Sequence, residues 1–440
     1  MFHHLKKIRL FTATAFAVGA MIGGGVFVLT GEALKQTGPA ALISFLIAGV
    51  AVLLSALSFA VIASQASAKS PGYGYIGTVL GSPLWSFLTS WCFYLGGIIG
   101  AAFVLNAFGV YANEFLGPHV SAVWWALAGA VLLTLVNLGP ASEIGKIETI
   151  LVGGKLLILL LLIGFGIAHF QPHDLHPFSP HGTTQIFASS AFLFIAFLGF
   201  NVITSISGDI DQPRKTVPRA ILLSMLIVTL AYAGIVIALL AAHLTSYSEA
   251  SVGVAAQHLI GPIGGGLVIA GALISTLSSA NASILGSSEI MLRLAANKDV
   301  PTVMGRLWRG HPYVSVLAAA TLYIVLILIH QTQIVIGLAN VTAIVALVIV
   351  NIAAARALTS KHHRGMRLPL GWLLPALGTI GAVVQFAFIP ASTLIIGLVL
   401  AGSGAGLYAL RKRYHLPHLH HQIAKTVNRV QGPLSQSLQK

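Results

Sequence analysis

Charge is scarce in this chain. Of its 440 residues only 8% are Asp, Glu, Lys or Arg, while 56% are hydrophobic. A soluble domain carries about 25% charged residues. This composition cannot cover an ordinary water-facing surface, and lipid is the solvent that fits it. Acidic residues are scarcer still, 10 against 24 Lys and Arg. Cysteine is nearly absent. The single Cys92 excludes an internal disulfide and any cysteine-based metal cluster, and its apolar surroundings read as inert packing. An intramembrane enzyme needs clustered Asp, Glu, His or Cys deep in an apolar run. None is found; Lys155 is the one ionisable residue at such a place. A net charge of +14 can mark a nucleic-acid binder. Here it is spread through short loops, and no nucleic-acid partner is expected.

Apolar length is what the chain has. Twelve runs are long enough to approach or exceed the roughly 20 residues that span a bilayer. They cover 10–34, 40–66, 83–112, 121–139, 149–169, 185–207, 217–242, 263–295, 312–330, 333–356, 371–389 and 391–410. The first continues to about Leu34 without a cleavage site, so it reads as a retained helix and not a signal peptide. With twelve spans, Lys6, Lys7, Arg9, Lys69, Lys146, Arg214, Arg293, Lys298, Arg356 and the basic tail share one side, and Lys35 alone holds the other. The positive-inside rule then places both termini in the cytoplasm of a cell-membrane protein. The expected organisation is a cytoplasmic N-terminus (1–9), five spans (10–170), an extracytoplasmic loop (171–184), five more spans (185–358), two further spans (359–410) and a basic, His-rich cytoplasmic tail (411–440).

Glycine, at 46 residues, marks where helices pack closely or break. The first run contains Gly19-Ala-Met-Ile-Gly-Gly-Gly-Val-Phe27. Each interior glycine costs a helix about 1 kcal/mol relative to alanine, so three in a row suggest unwinding. Irregular backbone at membrane depth is tolerated only where protein buries it or it lines a cavity. Amides at the start of the second half-helix would bind an anionic group such as a carboxylate. Close packing through small residues is the plainer alternative. The sixth run has a matching irregularity, Phe194-Ile-Ala-Phe-Leu-Gly-Phe-Asn201, five spans later. Paired interrupted segments at corresponding positions point to a transporter's binding site. Free carbonyls there could receive an ammonium group, and the aromatics could close over a ligand or simply pack.

Lys155 lies in Ile150-Leu-Val-Gly-Gly-Lys155-Leu-Leu, inside span five. A charge near the bilayer centre costs about 2.5–3.5 kcal/mol on insertion scales. It either snorkels to the interface or serves as a site that gains and loses a proton. Span eight is polar over Ser275-Thr-Leu-Ser-Ser-Ala-Asn281-Ala-Ser283. Those hydroxyls either bond back to their own helix, or Ser278 or Ser279 faces Lys155 and the broken first helix. His173, His176, His181 and Asp174 share the loop after span five, and His415, His418, His420 and His421 share the tail. Both groups read first as solvated residues, with metal binding as the alternative.

Taken together, the motifs resemble the amino acid–polyamine–organocation transporter superfamily, in its cationic-amino-acid-transporter-like and bacterial amino acid permease branches. Ile22-Gly-Gly-Gly-Val-Phe27 resembles that family's broken first helix, and Phe194 to Asn201 its sixth. Gly208-Asp-Ile-Asp-Gln-Pro-Arg-Lys-Thr-Val-Pro-Arg-Ala-Ile221 resembles its following cytoplasmic loop. The resemblance implies an all-α membrane protein with a five-plus-five inverted repeat (the LeuT-like fold), broken helices one and six, and two extra C-terminal helices. It implies that backbone groups of Ile22, Gly23, Gly24 and Gly25 bind the substrate's carboxylate and amine. Carbonyls of Ile195, Ala196 and Leu198 would share the ammonium, and Phe197 would stand as an aromatic gate. Lys155 falls where proton-coupled members carry a lysine in place of a sodium site, with Ser278 and Ser279 its expected neighbours. Val61, Asn201, Glu289 and Ala296-Asn297 depart from the family's usual residues.

The resulting expectation is a secondary active transporter working by alternating access, with no cofactor. Its partners are an amino acid, a proton and the lipid bilayer, and its coupling is sodium-independent. No carboxylate is evident along the path, which favours a neutral amino acid over a cationic one. An exchanger, a carrier of cationic amino acids or polyamines, and a channel or sensor on the same scaffold are the rivals.

Overall fold

The computed structural model describes residues 8–65, 73–117, 119–138, 144–200, 203, 210–308, 312–360 and 365–411, with backbone alone at 65, 144–152, 213 and 214. Asn201, Gly208, Lys69, the N-terminal lysines and the tail histidines lie outside the described residues. The described residues are mainly helical, and an isolated parallel bridge joins Ile8 to Ile210. That is what lipid requires, since a helix satisfies its backbone within its own segment.

The first run forms two helices, α1 (Leu10–Met21) and α2 (Gly24–Thr37). A turn at Gly38 leads to α3 (Ala41–Gln65), then come α4 (Gly74–Leu80), α5 (Pro83–Leu116), α6 (Ala122–Leu138) and α7 (Ile144–His169). The second half holds α8 (Thr183–Leu193) with a 3₁₀ turn at Phe194–Phe197, α9 (Pro213–Ala241), α10 (Ser251–Ile260), α11 (Pro262–Ala296), α12 (Tyr313–Ile329) and α13 (Thr332–Thr359). Two more follow, α14 (Leu373–Val384) and α15 (Ala391–Arg411).

Six helical stretches are long and apolar enough to cross a membrane: Gly24–Ser64, Pro83–Leu116, Lys215–Ala241, Pro262–Ala296, Thr332–Thr359 and Ala391–Arg411. The remaining apolar helices have 10–17 residues, with α7 counted from Gly153, where its side chains are described. The first run is interrupted at Ile22 and Gly23, and the sixth at Leu198 and Gly199. Two helices were not expected as elements: α4, between spans two and three, and α10, between spans seven and eight. Large apolar side chains such as Leu160, Leu230 and Val399 point outward, as a lipid-facing surface would have them.

The packing repeats with a step of five spans. α1 lies on α9 and α8 lies on α3; α7 lies on α9 and α13 on α3; α13 lies on α5 and α7 on α11. α5 packs on α6 and α11 on α12, while α5 and α11 pack on each other. Counting the first ten spans in a ring, a shift of five turns one set of pairs into the other.

Candidate functional site

The site begins with how the first helix stops. Ile22 leaves the helical region (φ −79°, ψ 80°) and Gly23 is extended (φ −123°, ψ −138°). The amide of Gly23 turns back to the carbonyl of Met21 at 3.0 Å instead of continuing the helix. The last carbonyls of α1 therefore lack helical partners, and other elements supply them. Lys155 Nζ donates to the Gly19 carbonyl at 2.7 Å. Ser275 Oγ donates to the Ile22 carbonyl at 3.4 Å. A cation at a helix C-terminus also meets the favourable end of the helix dipole. Lys155 is 2% exposed, so it is buried and does not snorkel.

Beyond the break, α2 presents its first amides with no side-chain cap at Gly23. Gly23 is also the point of closest approach to α11. A Cβ on it would lie 2.1 Å from Ser279 Oγ and 2.6 Å from Ser279 Cβ, so only hydrogen fits.

The sixth run breaks alongside the first. After the 3₁₀ turn, Leu198 is extended and Gly199 takes φ +127°, which L side chains rarely adopt. Gly199 packs on the first break, where a Cβ would lie 3.1 Å from Ala20 and Met21 backbone atoms. A hydroxyl from a third helix joins the two breaks. Tyr232 of α9, fully buried, donates to the Ala196 carbonyl at 2.9 Å and approaches the Met21 carbonyl at 3.3 Å.

Between these elements lies a cavity of about 190 Å³. Its wall includes Gly23, Gly24 and Gly25 from the first break, Ile195, Ala196 and Leu198 from the sixth, and Ser279 from α11. Tyr73 and Phe93, ring centroids 5.0 Å apart and stacked, form another part of the wall with Phe200. At one end stand Glu289 and Arg293, both solvent-exposed and 3.6 Å apart. Further along α2 the packing is tight: Tyr111 donates to the Phe27 carbonyl at 2.8 Å, and Gly31 is so near the Ser248 carbonyl that a Cβ would lie 2.1 Å from it.

Several expected site residues stand elsewhere. Phe197 is fully buried and off the cavity wall, packed edge-on against Phe45 and Tyr232 with centroids 6.4 and 5.3 Å away. The 3₁₀ turn directs its ring toward α3 and α9, and the wall's aromatics are Tyr73, Phe93, Phe103 and Phe200. Ile22 and Lys155 are buried and off the cavity wall, and Ser278, half-buried, is off it too. Ser279 lies against Gly23 of the first break, beside Ser275 on the Ile22 carbonyl. The expectation of a path without a carboxylate is corrected by Glu289, although Arg293 four residues on balances its charge. The Ile195 carbonyl accepts from the Leu198 amide at 3.1 Å and the Ala196 carbonyl from Tyr232, so each retains one lone pair for a ligand.

Sequence reasoning passed over Tyr232, Tyr73 and Phe93. Tyr232 carried a usable signal: a tyrosine in mid-run within an apolar span needs a partner for its hydroxyl.

Comparison with known proteins gives the family. The Amino acid permease family model matches residues 12–405. The inner membrane transport protein YbaT of Escherichia coli (strain K12) is 27% identical over 392 residues, covering 86% of this chain and 90% of that protein. The branched-chain amino acid permease BcaP of Bacillus subtilis (strain 168) is 26% identical, covering 93% of this chain and 94% of its own. The serine/threonine exchanger SteT of the same organism is 28% identical, covering 93% and 97%. With a family model spanning most of its length, and two interrupted helices meeting at a cavity, this chain belongs to the amino acid permease family of the amino acid–polyamine–organocation superfamily.

Proposed function

We propose that this membrane transporter carries a neutral amino acid together with a proton, without sodium, by alternating access. The observation that carries the reading is the Lys155 ammonium on the Gly19 carbonyl, 2.7 Å away, at the end of a helix that breaks against a cavity. A fixed cation there supplies the positive charge a bound sodium would otherwise bring. The uncapped amides at Gly24 and Gly25 suit a substrate carboxylate. The remaining lone pairs of Ile195 and Ala196 suit its ammonium. The cavity holds no unbalanced carboxylate for a cationic side chain, because Glu289 is matched by Arg293.

In this reading the fold is twelve spans built from two five-span repeats. The five-step packing pattern supports it, and an odd number of spans per repeat makes the two halves opposite in orientation. The positive-inside bias supports a cell-membrane orientation with the Glu289 and Arg293 end in the cytoplasm and the cavity facing inward. Loss of the Lys155 proton would release α7 from α1 and favour this inward-facing state. Because SteT is named an exchanger, exchange of two amino acids is the second reading.

The test is uptake into proteoliposomes with sodium replaced by choline and internal pH clamped. Uptake of small neutral amino acids should rise with an inward proton gradient. Lys155→Ala should lose gradient-driven accumulation while retaining substrate binding. Strict sodium dependence, or normal accumulation by Lys155→Ala, defeats the coupling scheme. Trade of internal for external substrate without any gradient identifies the exchanger.

A further inference from the structure

Two imidazoles far apart in sequence meet on one buried carboxylate. Asp174 lies in the 3₁₀ turn Pro172–Leu175 that follows α7, and its side chain is 2% exposed. Its Oδ2 is held by the Gln171 amide at 2.9 Å. Its Oδ1 is left to face His243 Nε2 at 2.7 Å and His173 Nε2 at 3.3 Å. His243 ends α9 in a left-handed conformation (φ +48°) that aims its ring back at the turn. The two rings stack with centroids 6.0 Å apart. Tyr247, just beyond, has its hydroxyl pKa raised by burial first and by the negative charge of Asp174 second.

We propose that His173, Asp174 and His243 form a binding site for a Zn²⁺-class transition-metal ion. The ligand set is the one such ions prefer, two imidazole nitrogens and a carboxylate oxygen, with water in the fourth position. Bonds of about 2.0–2.2 Å to a tetrahedral ion set ligand atoms about 3.3 Å apart. Here the three ligand atoms lie within 4.8 Å of one another. The anchored carboxylate stays, and the two exposed rings need only turn. Bonding to one carboxylate is the alternative use of these rings, and it demands no ion. The ion would tie the end of α7 to the end of α9. If the alternating access proposed above shifts α9 relative to α7, the bound ion would slow the cycle.

The experiment is Zn²⁺ titration of the full-length protein, purified without a histidine tag, stripped with chelator, and carrying Ala at His415, His418, His420 and His421. Calorimetry and the visible absorption of Co²⁺ report binding directly, whatever the protein transports. One ion per chain is expected. His173→Ala, Asp174→Asn and His243→Ala should each weaken binding by about 100-fold or more, since even residues that only support ligands are worth 10–100-fold. His243→Asn tolerates the left-handed backbone, so an Asn variant with the parent's melting profile and lost Zn²⁺ affinity separates ligand loss from loss of fold. Equal Zn²⁺ affinity in the parent and in a His173→Ala/His243→Asn variant overturns the site, as does the absence of a stoichiometric ion in the parent. Zn²⁺ that binds but leaves transport unaffected overturns only the clamp.

Discussion

Gly23→Ala is the most direct probe of how the broken helix is held. The added methyl would lie 2.1 Å from Ser279 Oγ and 2.6 Å from Ser279 Cβ. Ordinary carbon contacts need about 3.5–4.0 Å. Rotating the serine hydroxyl away removes the first clash and leaves the second about 1 Å too close, so α11 or the break itself must shift. Overpacking of that kind costs about 1–3 kcal/mol, and each 1.4 kcal/mol is a tenfold change in an equilibrium. Substrate affinity should therefore fall about 10- to 100-fold, with a lower melting temperature in detergent. The second-site test is sharper. Ser279→Ala keeps the offending Cβ and should not restore Gly23→Ala. Ser279→Gly removes it and should restore binding, apart from about 1 kcal/mol for a glycine inside α11. Radioligand binding and thermal melts on the four proteins decide the matter. A Gly23→Ala protein with unchanged affinity and melting, or equal rescue by both serine variants, would refute the packing described.

Other perturbations test neighbouring parts. Gly25→Val puts branched bulk beside Tyr232 Oη, which is 3.2 Å from the Cβ position, and into the cavity. It should abolish substrate binding while the protein still inserts, as read by size-exclusion profile and ligand binding. Tyr232→Phe strips the hydroxyl shared by the Ala196 and Met21 carbonyls. Stability should drop by about 1–3 kcal/mol, the usual cost of a buried group left unpaired, as measured by denaturation. Glu249, in the loop before α10, has its carboxyl pKa raised by burial first and by Glu32 second. An acid held above its unfolded value binds its proton more tightly when folded, so its contribution to stability falls as pH rises through that range. Glu249→Gln should therefore melt higher than the parent at neutral pH, and the gap should close in acid.

How much of this was legible beforehand depends on the residue. The breaks were visible because three adjacent glycines and a lone glycine among aromatics violate helix propensity, and the physical reasons not to build a helix are local. Lys155 was visible because a cation in an apolar run is costly. Its partner was not, since the Gly19 carbonyl becomes available only once the helix stops at Met21. Phe197 could be numbered but not aimed: a 3₁₀ turn of four residues decides which helix its ring meets. Tyr232 read as one more apolar residue in α9. The helices α4 and α10 are short and lack the length that reveals a span. The meeting of His243 with Asp174, 69 positions apart, is purely tertiary.

The bridge between Ile8 and Ile210 has a mechanical consequence. The Asp211 amide donates to the Ile8 carbonyl at 2.9 Å, so the start of α1 is fastened to the strand of chain that leads into α9. Tyr232 fastens α9 to both breaks further along. Helix α1 is thus pinned at its two ends to the same neighbour. A tilt of α1 cannot dissipate by swinging its free end; it acts as a strut that carries α9 with it. The two break points should behave as hinges on a single lever, and stiffness at one should be felt as lost travel at the other.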